Sequence, residues 1–400
     1  MRKLFYVGLE KYKARYTYQL QEWNERVFKA QKLNYIIVEG ELLSNSKEIK
    51  TGSVLDVHTR NYYALTQVAK LVAHMQRKEI TSEDVIFFED MYTPGIEALA
   101  YICALSDKKY RPKIWVRCLA QTIDPDDFVN REGMFNWMRH FELMQDNFIS
   151  GILVASEEMV SYLRVAGFKS KIYVTGLPFG KQEVLDRVKD KKIKALGLKK
   201  NRVAFAARWD AEKQPEFFMR MAKKYFKIDP KVEFAIFTGN SELRGNNKKW
   251  VKEAVELSKS NKANFKIYTN LSKNKYYELL ADSKVLFNCA LQDWVSNTIS
   301  EADTLGVMTL FPAYRSFPEA VFNNRNHLYT PWSIEDALDK LYGILVSDEE
   351  DEIFNSIGKI SDNQDKTIYK TVQILKGDKK ALRLYGRNGL DYRKNITPKK

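Results

Sequence analysis

Short apolar runs rich in Val, Ile, Phe and Tyr recur along the chain, separated by longer stretches in which apolar positions return every three or four residues. The runs read as buried strands and the stretches as amphipathic helices. In the first half, Leu4–Val7, 35–38, the short 54–57, 84–88, 113–116, 151–155 and 171–174 are the expected strands. Helical patterns cover 17–30, 61–77 and Ile96–Leu105, the last opened by the break Thr93-Pro94-Gly95. The second half repeats the grammar with strands at 202–206, 232–237, Phe265–Tyr268, 285–288 and 308–311. Strands alternating with helices give parallel βαβ units, so the fold class is α/β with two successive doubly wound domains. The expected division is an N-terminal domain 1–180, a Lys-rich linker 181–201, a C-terminal domain 202–380 and a basic tail 381–400. Ligands of such sheets sit at the carboxyl ends of strands, and a cleft between the domains is the natural place for one.

Composition narrows the function classes. An apolar content of 44% and an aromatic content of 13% exclude a disordered chain. The absence of an 18-residue apolar run excludes a membrane-spanning helix by sequence. The opening Met1-Arg2-Lys3 leads into a run too short for a signal peptide, so a cytoplasmic protein is expected. Cys103, Cys118 and Cys289 are scattered and four His show no i,i+4 pair, arguing against a disulfide framework or a metal site. Lys and Arg number 65 against 51 Asp and Glu, a net +14 that favours polyanionic partners.

Two segments carry candidate chemistry. A strand ends near Cys289, a loop carries Gln292-Asp293-Trp294-Val295-Ser296, and a helix begins at Asn297. The first-turn amides of Asn297, Thr298 and Ile299 are expected to be unpaired and suited to a phosphate. Glu301, on the same helical face as Asn297, can accept from sugar hydroxyls. In the other segment, Arg208 follows the strand 202–206, and Lys213 precedes a helix with Pro215 in its first turn. Two cations there can neutralise a diphosphate leaving group without a metal. The DxD at Asp124-Pro125-Asp126 falls in a Pro-containing turn past a strand end, a poor place for a metal-held diphosphate.

Together these segments resemble the donor half of retaining GT-B glycosyltransferases: Arg208-x4-Lys213, then Asp293-x7-Glu301 before a strand ending in Pro312. The resemblance covers about Val154 to Pro318. It implies two Rossmann-like domains facing each other across a cleft and a UDP-sugar donor, with no metal required. By this resemblance Arg208 and Lys213 bind the diphosphate, Asp293 faces the sugar and Glu301 holds the ribose. Asn297 and Thr298 meet a phosphate, while Thr238, Gly239 and the loop Tyr268, Asn270 and Leu271 surround the base. Gly8, after the first strand, joins the donor-binding set. The chain has Asp293 where the family usually has Glu, which suggests a smaller sugar such as a pentose. Trp294 and Ser296 replace small glycines, and the run Trp115–Thr122 lacks the family's frequent His.

The acceptor is read from charge. Lys11, Lys13, Arg15 and Tyr16 interleave cations and an aromatic after the first strand, a pattern suited to phosphates and bases. Arg117, Arg139, Phe135 and Trp137 extend that surface, with His58 and Asp90 as further candidate contacts. Among the family, this resembles the enzymes of T-even-like phages that glycosylate hydroxymethylated cytosine in double-stranded DNA, which need an extruded base. The alternatives are a glycan or lipid glycosyltransferase at a membrane surface, without stable insertion, and a DNA-binding protein with an inactive GT-B shell.

Overall fold

The computed structural model describes residues 1–11, 16–43, 57–188, 193–291, 293–347 and 354–387. Strands β1 (Leu4–Val7), β2 (Tyr35–Ile37), β3 (Val85–Phe88), β4 (Lys113–Arg117), β5 (Gly151–Val154) and β6 (Ile172–Val174) open the chain. They are followed by β7 (Lys200–Phe205), β8 (Glu233–Phe237), β9 (Phe265–Tyr268), β10 (Ser283–Phe287), β11 (Met308–Pro312), β12 (Leu328–Tyr329) and β13 (Gly386–Arg387). The chain divides into two compact units, Met1–Pro178 with Lys366–Lys400, and Phe179–Asp365.

The first unit is a sheet of order β13-β6-β5-β4-β3-β1-β2, parallel except for the antiparallel edge strand β13. The strand order reverses beside β1, which has β3 on one side and β2 on the other. Its interior strands β1, β3 and β5 are buried along their whole length, as strands covered by helices on both faces must be. The second unit is a wholly parallel sheet of order β12-β11-β10-β7-β8-β9. Here the order reverses between β7 and β10.

The core of the second unit is aromatic. In the helix Pro215–Tyr225, Pro215 supplies the preset backbone of the first turn. Phe218, Met221, Ala222 and Tyr225 form its buried face, at spacings of three, one and three residues. Phe218 is fully buried against Phe234, Phe265 and Phe287, one ring from each of three strands. Burying that side chain contributes about 2–3 kcal/mol.

Two lysines close helix ends at the opposite, amino-terminal edge of this sheet. Lys199 Nζ donates to Ala281 O at 2.6 Å and Leu305 O at 2.9 Å, capping the helices Lys273–Ala281 and Asn297–Thr304 together. Burial lowers its pKa to about 8. Lys284 Nζ does the same for the helix Ile334–Val346, through Leu345 O at 2.8 Å. Cations at helix carboxyl ends meet both the orphan carbonyls and the helix dipole.

Three expectations change. Residues 181–188, expected in a linker, form the helix Lys181–Val188, and β7 starts at Lys200, so 181–201 belong with the second unit. The chain returns to the first unit from Lys366, and residues 381–387, expected in a tail, complete the helix Lys379–Tyr385 and form β13. Of the short strand expected at 54–57, Val57 begins the helix Val57–Gln76, and the other three residues lie outside the described ones. Among the described residues no helix is long and apolar enough to cross a membrane.

Candidate functional site

In a parallel sheet, the loops leaving two neighbouring strands in opposite directions part at the point where the order reverses, opening a crevice at the strands' carboxyl ends. In the second unit those loops follow β7 and β10. Arg208 lies three residues past β7, and the chain then makes a short turn Ala211–Lys213 before the left-handed Gln214 (φ 48) releases it into the helix Pro215–Tyr225. Leu291 N donates to Glu212 O at 3.0 Å, and the buried Cys289 thiol donates to Lys213 O and Gln214 O at 3.3 and 3.2 Å. These bonds lace the two loops into one wall.

On that wall the structure joins two residues that are 80 apart in sequence. Lys213, only 6% exposed, forms an ion pair with Asp293, Nζ to Oδ1 at 3.0 Å. Arg208 is exposed and pairs with Asp210 at 3.1 Å and Glu212 at 2.6 Å. The two expected diphosphate cations thus lie on one loop, five residues apart, each already paired with a carboxylate.

Glu301 is buried in the helix Asn297–Thr304 and accepts from three donors: Lys273 Nζ at 2.6 Å, Tyr277 Oη at 2.9 Å and Tyr276 Oη at 2.7 Å. A carboxylate offers about four lone-pair directions, and these three donors take up most of them. Burial and the Glu301 charge push the Tyr276 hydroxyl well above its ordinary range, keeping it a donor. Asn297 and Thr298 are half-buried in the first turn. Ser296 turns its hydroxyl to Thr298 Oγ1 at 2.8 Å and caps no amide. Ile299 N, expected to be unpaired, donates to Ser296 O at 3.1 Å because the first turn is tight.

Thr238 and Gly239 follow β8 and are cross-linked to the loop after β9. Leu271 N donates to Thr238 O at 3.2 Å, and Asn270 N, at φ 54, donates to Asn240 O at 2.7 Å. The Tyr268 side chain faces elsewhere: its hydroxyl donates to Glu233 Oε1 at 3.0 Å, within an ion network that includes Arg202 and Lys266. Only its backbone borders this loop, through Tyr268 O and Thr238 N.

The first unit has its own reversal point, between β1 and β3. Gly8 leaves β1 with its carbonyl accepting from Gln67 Nε2 at 2.9 Å, and an added Cβ would come 3.0 Å from the Tyr6 ring. Asp90, after β3, is buried and held by Arg60 at 2.5 Å, Gln121 Nε2 at 2.6 Å and the Tyr92 amide at 2.9 Å. Arg60 also grips the buried Glu10 at 2.6 Å. Burial raises the Asp90 pKa against the opposing pull of Arg60. Lys11 pairs with Glu39 at 2.8 Å, Tyr16 donates to Pro178 O at 3.0 Å, and His58 is exposed in the first turn of its helix. Lys13 and Arg15 lie outside the described residues.

Arg117 does not extend a basic surface. It is 1% exposed, donates from Nε to Glu89 at 2.6 Å, and reaches Thr175 and Thr371. The cause is register: Phe88 pairs with Val116, so Glu89 and Arg117 leave neighbouring strands side by side. Among the described residues at this end of the sheet, Glu10, Glu39, Glu89 and Asp90 face Lys11, Arg60 and Arg117. Asp124 of the DxD is buried and accepts the Asp126 amide at 3.0 Å, an Asx turn.

Sequence reasoning missed Lys273, Tyr276 and Tyr277 around Glu301, and Arg315 against Trp294. Neither set has a motif, because each depends on which helix or loop lies beside which strand.

No family model matches the chain, and no curated protein matches it. Among solved structures it is similar to sucrose-phosphate synthase of Thermosynechococcus elongatus, at 10% identity and a TM-score of 0.63 over 99% of each chain. It is similar to Anabaena HepE, solved with UDP, at 14% identity and a TM-score of 0.60, over 96% of this chain and 100% of that one. It also resembles a variant of S. aureus TarM solved with fondaparinux, alpha-GlcNAc-glycerol and UDP, at 14% identity and a TM-score of 0.54. There the match takes in 78% of this chain and 59% of the TarM chain. The fold is GT-B, built from two parallel-sheet Rossmann-like units.

Proposed function

We propose that the chain is a glycosyltransferase that draws its sugar from a UDP-sugar bound at the reversal point of the second unit. The observation that carries this is the wall between the β7 and β10 loops, where Lys213 pairs with Asp293 and Arg208, on the same loop as Lys213, pairs with Asp210 and Glu212. The solved structures of HepE and TarM hold UDP, which supports the same donor here. Lys213 and Arg208 would stabilise charge on the departing diphosphate, and Asp293 would orient the sugar. The glycosidic bond to the diphosphate breaks as the acceptor oxygen attacks the anomeric carbon. The acceptor's proton passes to the leaving phosphate on the same face, giving retention with no metal.

The acceptor in this proposal is the hydroxymethyl group of modified cytosine in double-stranded DNA, and the sugar is arabinose or glucose. The carboxylates Glu10, Glu39 and Asp90, which follow β1, β2 and β3, suit an extruded base, whose exocyclic amine is a donor, better than they suit a phosphate. The net charge of +14 supports attraction of the DNA backbone to other surfaces. A second reading, a glycan or lipid hydroxyl as acceptor, is favoured by those same carboxylates, which accept from hydroxyls. Incubating hydroxymethylcytosine-containing DNA with the protein and a panel of UDP-sugars, then weighing the nucleosides, separates them. A pentose or hexose increment, abolished by Arg208→Ala, supports the DNA acceptor. UDP binding with no increment shifts the acceptor to a glycan or lipid, and DNA binding without UDP binding supports an inactive shell.

A further inference from the structure

The loop that carries Asp293 is gripped from a direction the donor reading does not use. After β11 the chain turns sharply, with Tyr314 N donating to Pro312 O at 2.7 Å, and places Arg315 in the left-handed region at φ 51. A non-glycine residue rarely takes that conformation unless its surroundings impose it. The imposed result is a stack. The Arg315 guanidinium lies 4.9 Å from the Trp294 ring centre and 5.7 Å from that of Tyr314. Tyr314 in turn meets Trp332 edge-on at 5.8 Å, and Trp332 is itself left-handed at φ 62. The row therefore runs from an exposed Trp332 through Tyr314 and Arg315 to the buried Trp294, the residue next to Asp293.

A planar guanidinium suits this place in a way an ammonium does not, because it can lie flat on a ring while keeping its charge. The stack fixes the indole of Trp294, and the Lys213 ion pair fixes the carboxylate of Asp293 one residue earlier. Two adjacent side chains pinned from opposite elements leave the intervening backbone little freedom. We propose that Arg315 is a positioning residue for the sugar end of the donor: by holding Trp294 it sets the Asp293 carboxylate, and so decides which sugar is accepted. This rests on the donor-site reading of the second unit. Arg315 acts through Trp294 and takes no part in binding the diphosphate.

Calorimetric titration of the full chain with UDP and with a panel of UDP-pentoses and UDP-hexoses tests it, using wild type, Arg315→Ala and Arg315→Lys. The expected result is that both variants bind UDP within about twofold of wild type, which also shows that they are folded. Both should lose the wild-type preference among UDP-sugars, a spread of roughly tenfold falling to within about twofold. Lys should not rescue, since it restores charge without the plane. An unchanged sugar preference in both variants would overturn the proposal. So would UDP weakened as much as the UDP-sugars, which would make Arg315 a phosphate ligand, or a wild type that binds UDP yet treats all sugars alike. A wild type that binds no UDP would instead sink the donor-site reading, and this proposal with it.

Discussion

Lys213 is the side chain on which the proposed donor site turns, and its charge is already paired. Asp293 sits 3.0 Å away, and a diphosphate arriving at Lys213 must compete with it. Removing that competitor should therefore help the nucleotide while harming the chemistry. Asp293→Asn is expected to tighten UDP several-fold, by about 1 kcal/mol, and to depress sugar transfer. Calorimetry and turnover measured on the same preparation check both halves, and a loss of UDP affinity would contradict the exchange. Arg208 is exposed and shared between Asp210 and Glu212, so Arg208→Ala should weaken UDP less than Lys213→Ala does. The Lys213 pairing cannot be read along the chain, because Lys213 and Asp293 meet only when β7 and β10 become neighbours, whereas the partners of Arg208 lie two and four residues away from it. The Arg117 misreading has a similar origin. A charge at the end of a buried strand looks like surface until the register shows Glu89 beside it.

Among the elements, the apolar pattern is sharpest in strands buried along their whole length. Leu4–Val7 appears at the expected bounds, since a run buried on both faces has a sharp hydrophobic edge; the edge strand Phe265–Tyr268 also matches its expected bounds, although only Phe265 is fully buried. The two-residue strands β12 and β13 are too short to leave any period. The helix Pro215–Tyr225 predicts its own test: Phe218→Ala should cost about 3–5 kcal/mol, read by denaturant unfolding, because three strands pack on that ring. A titration is also built into the second unit. His327 lies buried beside β12, with Nδ1 2.7 Å from Thr309 Oγ1 and Nε2 2.5 Å from Ser356 Oγ. Burial lowers its pKa from 6.5 to about 4. The unfolded chain therefore binds the extra proton between those values, so this contribution to stability is full above pH 6.5 and drains away as pH falls to about 4. The loss is of the order of 3 kcal/mol, and His327→Gln should flatten that part of the stability profile.

At the scale of the whole molecule, two sheets each reverse their strand order, and each reversal collects polar residues that the chain keeps far apart. Alternating strands and helices made both sheets legible, but not the return of the chain from Lys366 to the first unit. That return is invisible to local pattern because the C-terminal helices look like any others; only contacts such as Arg117 to Thr371 reveal it. The charge of +14 belongs to this scale as well. If it serves a DNA acceptor, affinity for duplex DNA should fall steeply with salt while UDP affinity changes little, which fluorescence anisotropy at several ionic strengths would show. The proposed function requires that the reversal point between β7 and β10 hold a nucleotide diphosphate. Titrating wild type and Lys213→Ala with UDP tests it most directly. Binding by the wild type, weakened about 10- to 100-fold in the variant, is the predicted result; no binding, or equal binding by both proteins, would contradict it.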